Sequence, residues 1–197
     1  MGRRVQFALL AVMLAGAYPA QATTIQHYDS QADWLADVTG VTSFGFSGFA
    51  DPNYDINYGS LTTNSVTFTG AGNYLAVRNY SPPFVYGPPA GGITVGLPVG
   101  TTAVAWLGGS FYGNPVTVVI NGESYAGLGA GFVGFTSTTP ITTLSIQSAG
   151  YPTLSSFSYG SATVPDESST LLLLCIGLAI VVVVQHRLRG RPLERWQ

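Results

Sequence analysis

Between residues 23 and 163 apolar and polar side chains alternate with a period of two through most of the chain. Val66 and Phe68 alternate with Thr67 and Thr69, and Val116, Val118 and Ile120 share one face. Leu144 and Ile146 are flanked by Thr143, Ser145 and Gln147, while Phe157 and Tyr159 alternate with Ser156 and Ser158. Successive side chains of an extended strand point to opposite sides, so this spacing predicts half-buried strands. Weaker alternation places further strands near residues 42–46, 73–78, 93–97, 103–107 and 131–136. Asn121-Gly122, between Ile120 and Glu123, is the strongest hairpin signal, because both residue types tolerate the positive φ of a two-residue turn. Ser81-Pro82-Pro83 and the Gly/Pro-rich run 87–92 separate other strands. One stretch follows a helical period instead. Asp29 or Ser30 can cap it, Asp33 suits its first turn, Trp34, Leu35 and Val38 fall on one face, and Gly40 ends it. About nine short strands with frequent turns predict an all-β domain over residues 23–163. The expected form is a mainly antiparallel β-sandwich, jelly-roll or immunoglobulin-like, with a short N-terminal helix. A closed barrel is the alternative.

The two ends carry a different pattern. Arg3 and Arg4 precede an apolar run over 7–17 that is too short to span a bilayer, and Ala20-Gln21-Ala22 offers a small-x-small cleavage site. Residues 1–22 therefore read as a signal peptide handled by the secretion machinery. At the other end, fourteen uncharged apolar residues over 171–184 are followed by Arg187, Arg189, Arg191 and Arg195. A helix rising ~1.5 Å per residue makes that run only ~21 Å long, short of the ~30 Å hydrocarbon layer. Flanking polar residues and a snorkelling Arg187 extend it to a transmembrane helix over 171–185 with a basic tail over 186–197. An arginine cluster directly after the span fixes that end in the cytoplasm and the body outside.

Composition removes several classes. Charged residues are only 8% of the 197, all seven cations are Arg, and Cys occurs once. Residues 23–163 hold Asp29, Asp33, Asp37, Asp51, Asp55 and Glu123 against the single cation Arg78. No basic surface can form to neutralise phosphates, so nucleic acid is not a partner. One thiol allows no disulfide framework, and Cys175 lies inside the apolar run. His27 is the sole histidine of the body and sits at its start, so a serine or cysteine triad has no base to work with. Thr and Ser on the polar strand faces keep such a sheet soluble without charge. Low charge also leaves sheet edges weakly protected, so self-association is open.

Val164-Pro165-Asp166-Glu167-Ser168-Ser169-Thr170 precedes the apolar run and the arginines. Together the three parts resemble the PEP-CTERM class of bacterial sorting signals. The usual motif there is Val-Pro-Glu-Pro-Ser-Thr, and this one is closer to the Val-Pro-Asp-Ser-Gly-Ser-Thr variant. The resemblance covers the last 30 or so residues. It implies recognition by an exosortase, cleavage near the motif, and transfer of the body to the cell surface or the extracellular matrix, where such proteins often accompany exopolysaccharide and biofilm. Retention as an ordinary single-pass anchor is the alternative.

Candidate chemistry in the body is sparse. Asp51, Asn53, Asp55 and Asn57 place oxygens at alternate positions, like the first half of a calcium loop, although Ile56 and Thr62 stand where Gly and Glu would be. A solvated Asx turn accounts for the same spacing. Asp51, Asp55 and Glu123 are the carboxylates from which a glycosidase pair would have to come. Tyr80, Phe84 and Tyr86, within the proline-stiffened segment 80–86, offer rings for stacking on sugars or proteins at low entropy cost. Tyr54, Tyr58, Tyr74, Phe111, Tyr112 and Tyr125 are further aromatics, and Trp106 reads as core. The expected function is non-catalytic binding of polysaccharide or protein at the cell surface, with no cofactor beyond the candidate calcium loop. A carbohydrate-active enzyme and a structural subunit that polymerises by edge pairing are the alternatives.

Overall fold

The computed structural model describes residues 23–51 and 55–163. The chain divides into two units, Met1–Ala162 and Thr163–Gln197. The signal segment 1–22, the sorting motif 164–170, the span 171–185 and the basic tail lie outside the described residues. Among the described residues no helix is long and apolar enough to cross a membrane.

Fourteen strands and one helix follow one another along the described chain. They run β1 Ile25–Tyr28, α1 Gln31–Ala36, β2 Val38–Gly45, β3 Ile56–Asn57, β4 Ser60–Thr63, β5 Val66–Gly70, β6 Ala76–Arg78 and β7 Phe84–Tyr86. After these come β8 Ile93–Gly96, β9 Ala103–Ser110, β10 Val116–Ile120, β11 Glu123–Leu128, β12 Gly131–Ser137, β13 Leu144–Ser148 and β14 Pro152–Ala162. Eight strands form one sheet in the order β1-β12-β9-β14-β7-β6-β3, with β2 also pairing β14. Six form a second sheet, β11-β10-β13-β8-β5-β4. Every pairing is antiparallel, so the all-β, sandwich-like class expected from the alternation is present.

The inward faces are the apolar halves of the alternation. Val66, Phe68, Val118, Ile120, Leu144 and Ile146 from the six-stranded sheet join Val77, Val85, Val104, Trp106, Phe135 and Phe157 from the other in one buried cluster. Phe68 meets Phe157 across the sheets with centroids 5.3 Å apart at 87°, the edge-to-face arrangement aromatic quadrupoles favour. The outward faces carry hydroxyls, which pair across strands: Thr62 and Thr67 Oγ atoms lie 2.9 Å apart and Ser43 and Ser158 Oγ atoms 2.8 Å. At Asn121-Gly122 both residues have positive φ, 49° and 89°, and Ile120 pairs with Glu123 as a two-residue hairpin requires.

Helix α1 covers the outer face of β9 and β12. Ser30 caps it by accepting from the Asp33 amide at 3.4 Å. Trp34 packs with Tyr28, Val38, Ala103 and Ala105 in a second buried cluster and donates from Nε1 to the Phe135 carbonyl at 3.2 Å. Gly134 makes room for the indole, since a Cβ there would lie 2.7 Å from Trp34 Cδ1. The helix ends at Ala36 with Asp37 as its C-cap, short of Gly40. Val38 opens β2 instead, and Gly40 takes its positive φ of 62° inside that strand. Within the proline-stiffened segment 80–86, Phe84–Tyr86 forms strand β7 in the interior of the larger sheet.

Candidate functional site

Strands β6 and β7 form an antiparallel pair with Val77 opposite Val85 and Arg78 opposite Phe84. Val77 and Val85 point into the core and are fully buried. The two-residue period sends Arg78, Phe84 and Tyr86 to the outer face. Chain termini of longer strands close around them. Strand β9 ends at Ser110 and leads into Phe111 and Tyr112, while Tyr151 stands immediately before β14, and the Phe111 amide donates to the Tyr151 carbonyl at 3.1 Å. Tyr74 leads into β6 from the short turn at Ala71–Asn73. Tyr74, Arg78, Tyr86, Phe111, Tyr112 and Tyr151 thus line a cavity of about 200 Å³.

Asp55 organises the polar side of this cavity. Arg78 Nε lies 3.0 Å from each carboxylate oxygen of Asp55, and the Tyr86 hydroxyl donates to Oδ2 at 3.0 Å. Tyr86 has given its proton to that bond, so the Tyr74 hydroxyl, 3.2 Å away, donates to Tyr86. The result is a directed chain from Tyr74 through Tyr86 to Asp55. Burial pushes the Tyr86 phenol well above the usual tyrosine range, and the Asp55 carboxylate that accepts its proton pushes in the same direction. For Arg78 burial works against the charge, but the Asp55 carboxylate outweighs it and the guanidinium is held more firmly protonated than usual. The Arg78 guanidinium carbon also lies 5.3 Å from the Tyr80 ring centroid and 5.2 Å from that of Phe111, within cation–π range. Arg78 is the only Arg or Lys among the described residues.

Tyr80, Phe84 and Tyr86, singled out in the sequence, meet at this place, whereas Tyr58 packs on Phe49 and Tyr125 on Phe135. Tyr80 and Phe84 stack at 5.7 Å and 6°, and Phe84 lies 5.1 Å from Phe111 and 6.2 Å from Tyr86. Tyr80 is 56% and Tyr112 75% exposed, so both rings stand in solvent at the rim. Tyr151, which the alternation does not single out, completes the wall through contacts with Tyr86 at 5.9 Å and Tyr112 at 6.1 Å. Its signal in the sequence is only an aromatic between Gly150 and Pro152.

Two of the four residues of the candidate calcium loop, Asp55 and Asn57, have partners within the protein. Asp55 accepts from Arg78 and Tyr86, and Asn57 Oδ1 accepts from the amides of Gly59 at 3.0 Å and Leu75 at 3.1 Å. Asn53 lies outside the described residues, and Asp51 is half-buried at the end of the preceding segment. Among the described residues no three His, Cys, Asp or Glu side chains gather as a metal-binding group. Glu123 opens β11 at one flank of the sandwich and accepts from the Tyr125 hydroxyl at 2.9 Å, whereas Asp55 adjoins β3 at the opposite flank. The structure therefore brings Asp55, and not Glu123, to the aromatic cavity. No known protein family, characterised protein or solved structure matches the chain.

Proposed function

We propose that this chain is an exported bacterial surface or matrix protein whose β-sandwich, of jelly-roll or immunoglobulin-like type, binds polysaccharide without catalysis. The cavity walled by Phe111, Tyr112, Tyr86 and Tyr151 beside Arg78 carries this reading. Sugar rings present C–H faces that pack on aromatic planes and hydroxyls that need donors and acceptors, and the cavity holds both kinds of partner. A groove enzyme needs two carboxyls facing each other across the bond; Asp55 adjoins this cavity, whereas Glu123 stands at the opposite flank of the sandwich. Delivery follows from the ends of the chain: a signal peptide ending at Ala22, then a PEP-CTERM-like motif over 164–170 read by an exosortase.

The full chain is to be tested for retention on a panel of insoluble polysaccharides. Retention that falls in Tyr112→Ala and Tyr80→Ala supports the reading. Absence of any retention, or retention unchanged in both variants, refutes it. Mass spectrometry of surface material tests delivery separately, because Trp196 and Gln197 should be missing from the mature protein. Their presence would reduce the C-terminus to a plain anchor.

A further inference from the structure

Building on the carbohydrate-binding reading above, we infer that the cavity selects an acidic sugar. The Nη groups of Arg78 take the carboxylate of a hexuronate residue whose ring lies against Phe111 and Tyr112. The argument starts from which polar atoms are already committed. Nε of Arg78 is held by both oxygens of Asp55, which fixes the plane of the guanidinium. Among the described residues neither Nη group has a hydrogen-bond partner, so the end of the fork is unsatisfied within the protein. The rings of Tyr80 and Phe111 lie beside the same group and cover part of it, the side chain remaining 37% exposed. A guanidinium between rings loses hydration and gains from an acceptor that fits its flat fork.

The acceptors next to Arg78 are already engaged. Asp55 accepts from Arg78 and Tyr86, and Tyr86 from Tyr74. What remains open is the Arg78 fork, which can only donate, and the hydroxyls of Tyr112 and Tyr151, which can donate or accept and have no partner among the described residues. The one open group with a fixed role is the fork, and it calls for an acceptor. A carboxylate offers two coplanar oxygens to the two Nη groups, and such charge-assisted pairs are roughly twice as strong as those to neutral hydroxyls. The cavity of about 200 Å³ is smaller than the ~300–1,000 Å³ that encloses a drug-sized ligand, which suits one sugar ring with the rest of the chain outside. Asp55 lies against Arg78 Nε and offsets part of its charge, while repulsion from carboxylates farther off is screened by salt at ~0.1 M beyond ~10 Å. The fork acts at contact, so it decides.

Isothermal titration of the full chain in mild detergent tests this. The probes are oligosaccharides of alginate, polygalacturonate and hyaluronate, each beside its carboxyl-reduced form, with dextran as a neutral glycan. At least one acid form should bind about tenfold or more tightly than its reduced form, the size of a charged bidentate contact. Arg78→Lys keeps the charge but not the fork and should lose most of that discrimination, with near-ultraviolet circular dichroism confirming an intact fold. Tyr112→Ala should weaken acid and reduced forms alike. Equal affinity for acid and reduced forms, preference for dextran, or full discrimination in Arg78→Lys would overturn the acidic-sugar inference and leave the carbohydrate reading standing. Binding to none of these glycans would overturn both.

Discussion

Phe68 offers the sharpest test of how the two sheets hold together. It is fully buried on β5 and touches three other rings: Phe157 at 5.3 Å and 87°, Phe46 at 5.4 Å and 80°, and Phe44 at 6.2 Å and 72°. Truncating a core Phe to Ala removes its transfer free energy and leaves a cavity, together about 3–5 kcal/mol. Three edge-to-face contacts, each about 0.5–1.5 kcal/mol beyond the area term, put Phe68→Ala at the upper end of that range. Domains are typically stable by about 5–15 kcal/mol, so the variant should be close to unfolding at moderate temperature. Phe68→Leu keeps most of the volume and loses only the ring geometry, so a cost of about 1.5 kcal/mol is expected. Urea melts followed by tryptophan fluorescence measure both. Trp34 and Trp106 are 1% and 2% exposed and will report loss of packing. The midpoint should fall in both variants while the slope stays constant. A cost below about 2 kcal/mol for Phe68→Ala would mean that the sheets do not interlock through this ring, and the account of the core would fail.

Three further outcomes follow from local geometry. In Gly70→Ala the new Cβ would overlap the Tyr74 carbonyl oxygen, so thermal unfolding should show a loss above about 3 kcal/mol; a near-neutral result would refute the close approach there. The Tyr125 phenol is pushed up to about 12, chiefly by burial and then by its bond to Glu123. Its contribution to stability is complete below the free phenol value near 10 and is lost as pH climbs from there through about 12, so Tyr125→Phe should flatten the alkaline limb of the stability curve. An unchanged limb, or a Tyr125 phenolate band appearing near pH 10, would contradict this. Asp55→Asn breaks a half-exposed ion pair and should cost no more than about 1 kcal/mol in a denaturant melt; a cost above about 3 kcal/mol would mean the pair is effectively dry.

Strand alternation was legible because it needs no tertiary knowledge. Val116, Val118 and Ile120 had to share a face of any extended segment, and they do. Strand β7 was not legible, since three residues after Ser81-Pro82-Pro83 carry too little periodicity to outweigh two prolines. The helix end was misplaced because Val38 satisfies a helical stripe as well as a strand start, and a Gly beyond it is an equally good terminator or strand kink. For the site, the rings of Tyr80, Phe84 and Tyr86 and the lone cation Arg78 could be picked out locally. Phe111, Tyr112 and Tyr151 could not be joined to them. Only the sheet order, which sets the end of β9 and the start of β14 beside β7, brings those turns together. Alternate oxygens over 51–57 were ambiguous because the same spacing serves an ion pair at Asp55 and a turn at Asn57.

The distribution of polarity gives the site its strongest physical contrast. Over much of its strands the sandwich meets water through hydroxyls, such as the Ser60–Thr69 and Thr62–Thr67 pairs, which cost little to expose and tie neighbouring strands together, with Leu35, Val99 and Leu107 as scattered exposed apolar residues. At one end of the larger sheet this economy is abandoned. The only guanidinium of the described residues stands there among rings, and Tyr80 and Tyr112 keep more than half of their surface in water. A ring left exposed contributes little to burial free energy, so the fold would be about as stable with threonine at either position. Packing therefore does not account for these residues, while a ligand that covers the rings and supplies acceptors to Arg78 accounts for both. If a Tyr80→Thr/Tyr112→Thr protein melted far below the parent, the rings would belong to the core after all, and this contrast would lose its force.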